Sequence, residues 1–153
     1  MSWIRKLIIK FSKTPNIPLR KITYLSKRYG VVSIEDIDFV GRSFRSPNNK
    51  YLLCWSDYDK KSKVGGFRHE GNGRVLVIKD DLLVLVNDDI QRPNDGKIAN
   101  NGTFIINDYM FGDDLQGTFY AIDIENNVLI KHYFRANIGK MLFLKMVIMP
   151  FVL

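Results

Sequence analysis

The feature that most constrains the fold of this chain is a change in the pattern of apolar and polar residues near Gly41. From there onward, short apolar runs alternate with turns rich in Asn, Asp and Gly. The runs lack the 3.6-residue periodicity of a helix, so we predict that they form strands. The predicted strands cover residues 51–56, 74–79, 82–87, 103–107, 118–123 and 128–134. The body of the chain is therefore predicted to be mainly β.

Two of the connections carry the chemistry of tight hairpin turns. They are Lys79-Asp80-Asp81 and Glu125-Asn126-Asn127. Asp and Asn tolerate the left-handed backbone region and bond to their own main chain, which suits short hairpin loops. Strands that are consecutive in sequence are therefore expected to pair antiparallel, as meanders.

Composition fixes the broad class of the protein. A chain of 153 residues with 46% hydrophobic content has the size and apolar content of one globular domain. The single cysteine, Cys54, has no partner for an internal disulfide, and residues 1–30 lack the apolar core of a secretory signal. These features favour a cytoplasmic setting.

The positive charge of the chain is concentrated at its start. Residues 1–30 hold eight of the 23 Lys and Arg residues and no acid. The remaining 15 basic residues stand against 16 acidic ones. The net charge of +7 is thus a property of a basic leader joined to a nearly neutral body.

The leader has the pattern of a short amphipathic helix. Its apolar residues recur on one helical face, with Ser2 placed to cap the helix and Pro15 to end it. A second short helix is predicted over residues 19–29, closed by Gly30. The basic residues that could contact an anionic membrane surface or nucleic acid are Arg5, Lys6, Lys10 and Lys13. The alternative, which we favour, is that the apolar face docks on the body and the cations remain solvated.

A repeat in the sequence suggests how the strands are organised. The segment SPNNKYLL at residues 46–53 aligns with ANNGTFII at residues 99–106, at an offset of 53 residues. This pattern resembles the S-x-D-G-x-Y start of β-propeller blades, which are four-stranded meanders that stack on their neighbours. The resemblance implies incomplete propeller-like blades over residues 41–140. The charge distribution separately predicts a basic amphipathic N-terminal segment over residues 1–40.

The final segment, residues 141–153, departs from this pattern of apolar and polar residues. Its sequence, MLFLKMVIMPFVL, is too short to cross a bilayer, which needs about 20 apolar residues. One hypothesis is that it is a frameshift product, because the shifted reading frame permits a third copy of the repeated turn. The chain would then be a truncated fragment of a longer propeller. The alternative is a genuine apolar strand or helix that closes the body.

One stretch carries possible ligand chemistry. Residues 91–97, QRPNDGK, resemble the R-x-N-D-G-K segment of the regucalcin and gluconolactonase family of propellers. The resemblance implies that Arg92 and Asn94, with Asp95 beside them, contact a small sugar-lactone type of ligand. The following strand departs from the family pattern. The alternative is a plain Asn-Asp-Gly turn in which Arg92 pairs with Asp88 or Asp89 and Gly96 supplies a positive φ.

Other candidate sites are weaker. His69 lies in a glycine-rich loop without the Lys-Ser/Thr pair of a phosphate-binding loop, and His132 lies within a predicted strand. Asp57 with Asp59, and Asp113 with Asp114, are paired acids of polar loops for which we expect simple solvation. With two histidines and one cysteine, we predict neither a zinc site nor a catalytic residue.

Two functional classes follow. The first is a binding or interaction module without activity or cofactor, whose partner is another protein or the missing blades of a parent propeller. The second is the remnant of a lactonase-type hydrolase that would use a divalent cation.

Overall fold

The computed structural model describes residues 15–58, 69 and 73–136. The predicted leader helix, the four leader cations Arg5, Lys6, Lys10 and Lys13, and the tail at residues 141–153 lie outside the described residues. Within them, the protein consists of two antiparallel β-sheets. The prediction of a mainly β chain is confirmed.

The first sheet has seven strands and is curled into a half-barrel. Its strands lie in the order β1-β7-β6-β5-β4-β3-β2, so six consecutive strands form a meander and the short β1 closes beside β7. The strands are β1 (Ile17–Pro18), β2 (Ile22–Ser26), β3 (Val31–Ile34), β4 (Phe39–Arg45), β5 (Tyr51–Ser56), β6 (Arg74–Lys79) and β7 (Leu82–Asn87).

The second sheet is a simple four-stranded meander. Its strands are β8 (Pro93–Ile98), β9 (Phe104–Asp108), β10 (Gly117–Ile122) and β11 (Val128–Phe134). They follow one another in the sheet as they do in the sequence. All seven residues of β11, the outer strand, are exposed, including the apolar side chains of Leu129 and Ile130.

The strands predicted from apolar runs are confirmed, and four of them begin and end at the predicted residues. The two predicted hairpin turns are confirmed as well. Asp80 and Asp81 both adopt positive φ, of 45° and 63°, and Asn126 has a φ of 68°. The turn residues therefore take up the left-handed backbone for which Asp and Asn are suited.

The predicted helix over residues 19–29 is wrong. Strand β2 occupies this segment and pairs with β3, with Tyr24 opposite Val32. Gly30 does take a positive φ of 61°, but it closes the turn between two strands, and an added Cβ would lie 2.5 Å from the carbonyl oxygen of Ser43. A three-residue 3₁₀ turn, Glu35–Ile37, is the helical element of the described residues. None of their helices has the length and apolar content to cross a bilayer.

Two apolar cores lie on opposite sides of β5 and β6. The inner core, between the sheets, contains Tyr51, Leu53 and Trp55 of β5 together with Phe104 and Ile106 of β9. The second core fills the concave side of the curled sheet and contains Leu19, Val32, Ile34, Phe39, Leu52, Cys54, Leu76, Ile78 and Leu83. Alternate residues of β5 thus enter different cores, as the two-residue period of a strand requires. The predicted segment boundary at residues 40 and 41 falls inside β4.

The two aligned sequence segments form the same kind of turn. Asn49 and Gly102, which are matched in the alignment, have positive φ values of 62° and 88°. The N–H of Asn49 donates to the carbonyl of Ser46 at 2.9 Å, and the N–H of Gly102 donates to the carbonyl of Ala99 at 3.1 Å. One turn joins β4 to β5 in the seven-stranded sheet and the other joins β8 to β9 in the four-stranded sheet, so each connects two adjacent antiparallel strands.

A side-chain hydrogen bond also recurs at matched positions. The Oδ1 of Asn48 accepts from the N–H of Lys50 at 3.1 Å, and the Oδ1 of Asn101 accepts from the N–H of Thr103 at 3.0 Å. The two turns touch each other, because the N–H of Asn48 donates to the Oδ1 of Asn100 at 2.9 Å. The sheets are therefore linked at this end by the turns as well as by the inner core.

Candidate functional site

A cleft of about 380 Å³ opens where the two sheets meet. Strands β4 and β5 form one wall, and the start of β8 with the residue after β9 forms the other. Its lining residues are Val31, Gly41, Arg42, Trp55, Ser56, Asp57, Arg92, Pro93, Asn94 and Tyr109. The structure thus places Arg92 and Asn94, two of the three residues that the sequence resemblance selected, in one cleft.

The segment QRPNDGK forms a strand and is not a free turn. Residues 93–98 make β8, which pairs with β9 through a register shift between Pro93 and Asp95. Gly96 does not have a positive φ, so the prediction that it supplies a left-handed turn conformation is wrong. A Cβ at Gly96 would lie 2.8 Å from side-chain carbons of Leu53 and Ile106. The close packing of β8 against Leu53 therefore leaves little room for a side chain at Gly96.

A buried carboxylate holds the backbone that leads into β8. Asp108 is 2% exposed. Its Oδ1 accepts from the N–H groups of Arg92 and Met110, both at 2.8 Å, and its Oδ2 accepts from the N–H of Gln91 at 3.2 Å. The N–H of Tyr109 donates to the carbonyl of Arg92 at 3.0 Å. Arg92 therefore starts from a backbone fixed on both sides, which orients its side chain.

The guanidinium of Arg92 is incompletely paired. Its Nη1 donates to the carbonyl of Met110 at 3.2 Å, and its Nε lies 3.9 Å from Oδ2 of Asp57, beyond hydrogen-bond distance. Within the described part of the chain this buried Nε has no hydrogen-bond partner. The side chain is 17% exposed. A buried donor without an acceptor is costly, so the charge of Arg92 is incompletely compensated by the protein groups around it.

The other two predicted ligand contacts have different settings. Asn94 lines the cleft, and its carbonyl accepts from Nε1 of Trp55 at 3.0 Å, which fixes the indole as part of the wall. Asp95 does not line this cleft. Its Oδ1 accepts from the N–H of Gly96 at 3.0 Å and lies 3.7 Å from Nζ of Lys97, in an adjoining groove.

The predicted pairing of Arg92 with Asp88 or Asp89 is wrong. Asp88 pairs with Arg74, whose Nε donates to Oδ1 at 2.8 Å. The carboxylate within 4.0 Å of Arg92 belongs to Asp57, for which sequence reasoning predicted solvation. That reasoning also missed Arg42, Trp55 and Tyr109. Trp55 could have been found as the aromatic end of a buried strand, whereas the approach of β4 to β8 left no local signal.

The remaining reactive side chains do not join the cleft. Burial raises the pKa of the Cys54 thiol, against a smaller lowering by the charge of Arg45. His69 Nε2 lies 3.1 Å from Oδ1 of Asp113, and the His132 ring stacks edge-on against Phe134 at 4.5 Å. Among the described residues, no three His, Cys, Asp or Glu side chains converge in a way that would hold a metal ion.

Comparison of the chain with protein-family models, with curated protein sequences and with solved structures found no match in any of the three.

Proposed function

We propose that this protein is a binding module built of two propeller-type meanders, and that the cleft between its sheets takes a small polar ligand. Arg92 would attract a ligand anion through the charge of its guanidinium at the cleft wall, and Arg42 would add a second positive charge. Asn94 would add a polar contact, and Trp55 would provide a flat apolar wall. No covalent chemistry is needed for this function.

The observation that carries the proposal is the guanidinium of Arg92 in the wall of a cleft, where the neighbouring carboxylate of Asp57 lies 3.9 Å away, beyond hydrogen-bond distance. An arginine whose backbone is held by Asp108 and whose side chain is largely buried has lost most of its rotamer freedom before any ligand arrives. Preorganisation of this kind lowers the entropic cost of binding. A ligand carboxylate would then compensate the charge of the guanidinium.

Support for the propeller-type architecture comes from the paired turns. Strands β4–β7, which are part of the seven-stranded sheet, and strands β8–β11 are each a run of four consecutive antiparallel strands, and the matched turns lie between the first and second strand of each run. Blades of a propeller bury their faces against neighbouring blades. The exposed β11 is consistent with a further meander, or another protein, as a partner of this module.

The test is ligand-dependent thermal stabilisation of the full chain. Sugar acids such as gluconate, and the corresponding lactones, are screened at millimolar concentration, because a ligand that binds the native state raises the midpoint by an amount that grows with the logarithm of its concentration relative to Kd. We expect stabilisation of the wild type that is lost in Arg92→Gln and kept in Arg74→Gln, the matched control, which removes an arginine from an ion pair outside the cleft. Equal stabilisation of both variants would refute the assignment of the cleft.

The lactonase-type alternative shares Arg92 and Asn94 as substrate contacts and differs in requiring a divalent cation. It is tested by adding calcium or zinc to the same screen. Metal-dependent stabilisation together with lactone hydrolysis that is abolished by a chelator would favour the enzyme. Stabilisation by the ligand alone, without hydrolysis, would favour the binding module.

A further inference from the structure

A second and larger recess adjoins the cleft. It measures about 820 Å³ and lies between the β2–β3 turn, strand β4 and strand β8. We call it the basic groove, because its lining includes five cations, Lys27, Arg28, Arg42, Arg45 and Lys97, against one acid, Asp95. All five cations belong to the described body of the chain. The body of the protein therefore has a positive surface of its own.

Three of these five cations have no acidic partner among the described residues. Lys97 pairs with Asp95 at 3.7 Å. Arg28, Arg42 and Arg45 are exposed and take part in none of the ion pairs found among the described residues. Like charges gathered in a concave surface reinforce one another, since the low-dielectric walls focus their field. The groove is therefore suited to an anionic partner with several charges.

Aromatic rings stand among the cations. Tyr29 is 67% exposed, with the Arg28 guanidinium carbon 5.3 Å from its ring centre. Tyr24 is 36% exposed, and its hydroxyl accepts from Nη2 of Arg45 at 3.0 Å. Exposed rings beside arginines offer stacking surfaces next to phosphate-binding charges, which is the combination found where proteins bind single-stranded nucleic acid.

We propose that the basic groove binds single-stranded nucleic acid, with the backbone phosphates on Arg28, Arg42 and Arg45 and a base stacked on Tyr29. A folded duplex would hide its bases from the tyrosine, and an anionic bilayer would make no use of a stacking surface. The proposal goes beyond the small-ligand cleft: the two recesses share lining residues, among them Arg42 and Trp55, whereas Arg92 lines only the cleft, so Arg92→Gln should leave binding in the groove unchanged.

The test measures binding of a fluorescent oligodeoxythymidylate of about 12 nucleotides, a length within the usual site size for such proteins. Fluorescence anisotropy is recorded with the full chain over a range of salt concentrations. The groove variant carries Arg28→Gln, Arg42→Gln and Arg45→Gln. The matched control carries Lys21→Gln, Lys79→Gln and Lys131→Gln, which removes the same charge from exposed positions outside the groove.

We expect the groove variant to bind at least ten-fold more weakly at low salt, while the control stays within a few-fold of wild type. The slope of log affinity against log salt should fall by about 2 units in the groove variant, because each phosphate contact to a single strand contributes about 0.7. Equal losses in the two variants would overturn the proposal. So would loss of binding on neutralising Lys6, Lys10 and Lys13, because the leader would then be the binding element.

Stacking is tested separately at Tyr29. Tyr29→Ala should weaken binding roughly five-fold or more without changing the salt slope, and Tyr29→Phe should bind like wild type, since the ring is kept. Thermal midpoints of all variants are measured first, so that a folding defect is recognised. If inorganic polyphosphate competes as well per phosphate as the oligonucleotide, or anionic vesicles bind as tightly through the same arginines, the groove recognises charge alone and the proposal is wrong.

Discussion

Removing the carboxylate of Asp108 should strongly destabilise the protein. In Asp108→Ala, the N–H groups of Arg92 and Met110 lose acceptors at 2.8 Å, and that of Gln91 loses one at 3.2 Å. Leaving a buried donor unpaired costs about 1–3 kcal/mol, so the two shorter bonds alone predict a loss of about 2–6 kcal/mol. Gln91 is exposed, so we expect water to replace its bond.

The variant Asp108→Asn separates this account from a general effect of mutation. Its amide oxygen can keep both bonds that Oδ1 now accepts, while its NH₂ group faces the N–H of Gln91, so we expect a loss of only about 1–2 kcal/mol. The assay is equilibrium unfolding in urea followed by tryptophan fluorescence, with an unchanged dependence on urea as the check of two-state behaviour. Asp114→Ala, at an exposed position, is the control and should stay within about 0.5 kcal/mol. The reasoning fails if the alanine variant is no less stable than this control, or if the asparagine variant is as damaged as the alanine one.

Three further predictions concern the packing around the two cores. Gly96→Ala should cost about 1–3 kcal/mol in urea unfolding, because its Cβ would lie 2.8 Å from carbons of Leu53 and Ile106; a neutral effect would mean that the sheets can separate freely. Burial raises the pKa of the Cys54 thiol, so this thiol should resist thiol reagents until the chain unfolds. The free energy of unfolding, relative to that of Cys54→Val, should fall as pH rises above about 8.5, because only the unfolded thiol ionises there. Rapid labelling under native conditions would contradict this. Asn107→Val should stabilise the protein by about 1–2 kcal/mol in urea unfolding. Asn107 is fully buried, and neither polar atom of its side chain has a hydrogen-bond partner in the described part of the chain. A loss of stability would instead reveal a polar partner.

Sequence reasoning worked where pattern and turn chemistry agree. The boundaries of β5, β6, β7 and β11 follow from apolar runs flanked by Asp and Asn, and the turn at Asp80 and Asp81 follows from their tolerance of positive φ. These signals lie within a few residues of each other. Local information was therefore sufficient for them.

It failed where distant contacts decide the conformation. Residues 22–26 carry no strong alternation and precede a glycine, which favoured a helix, yet pairing with β3 makes them a strand. Asn94, Asp95 and Gly96 have the composition of a turn, yet pairing with β9 and contact with Leu53 make them part of β8. For the cleft, the resemblance selected Arg92 and Asn94, which do line it, and Asp95, which does not. Asp57 was overlooked because its relation to Arg92 exists only after the sheets pack.

The double-sided burial of β5 and β6 has a consequence for how the protein comes apart. Leu53 and Val77 belong to one core, while Leu52 and Leu76 belong to the other. The same pair of strands therefore separates the two cores and contributes side chains to both. Neither core can unfold without exposing the apolar side chains on one face of β5 and β6 to solvent. We therefore expect the amide protons of β5 and β6 to exchange last with solvent, and the two halves of the body to be lost in a single cooperative event.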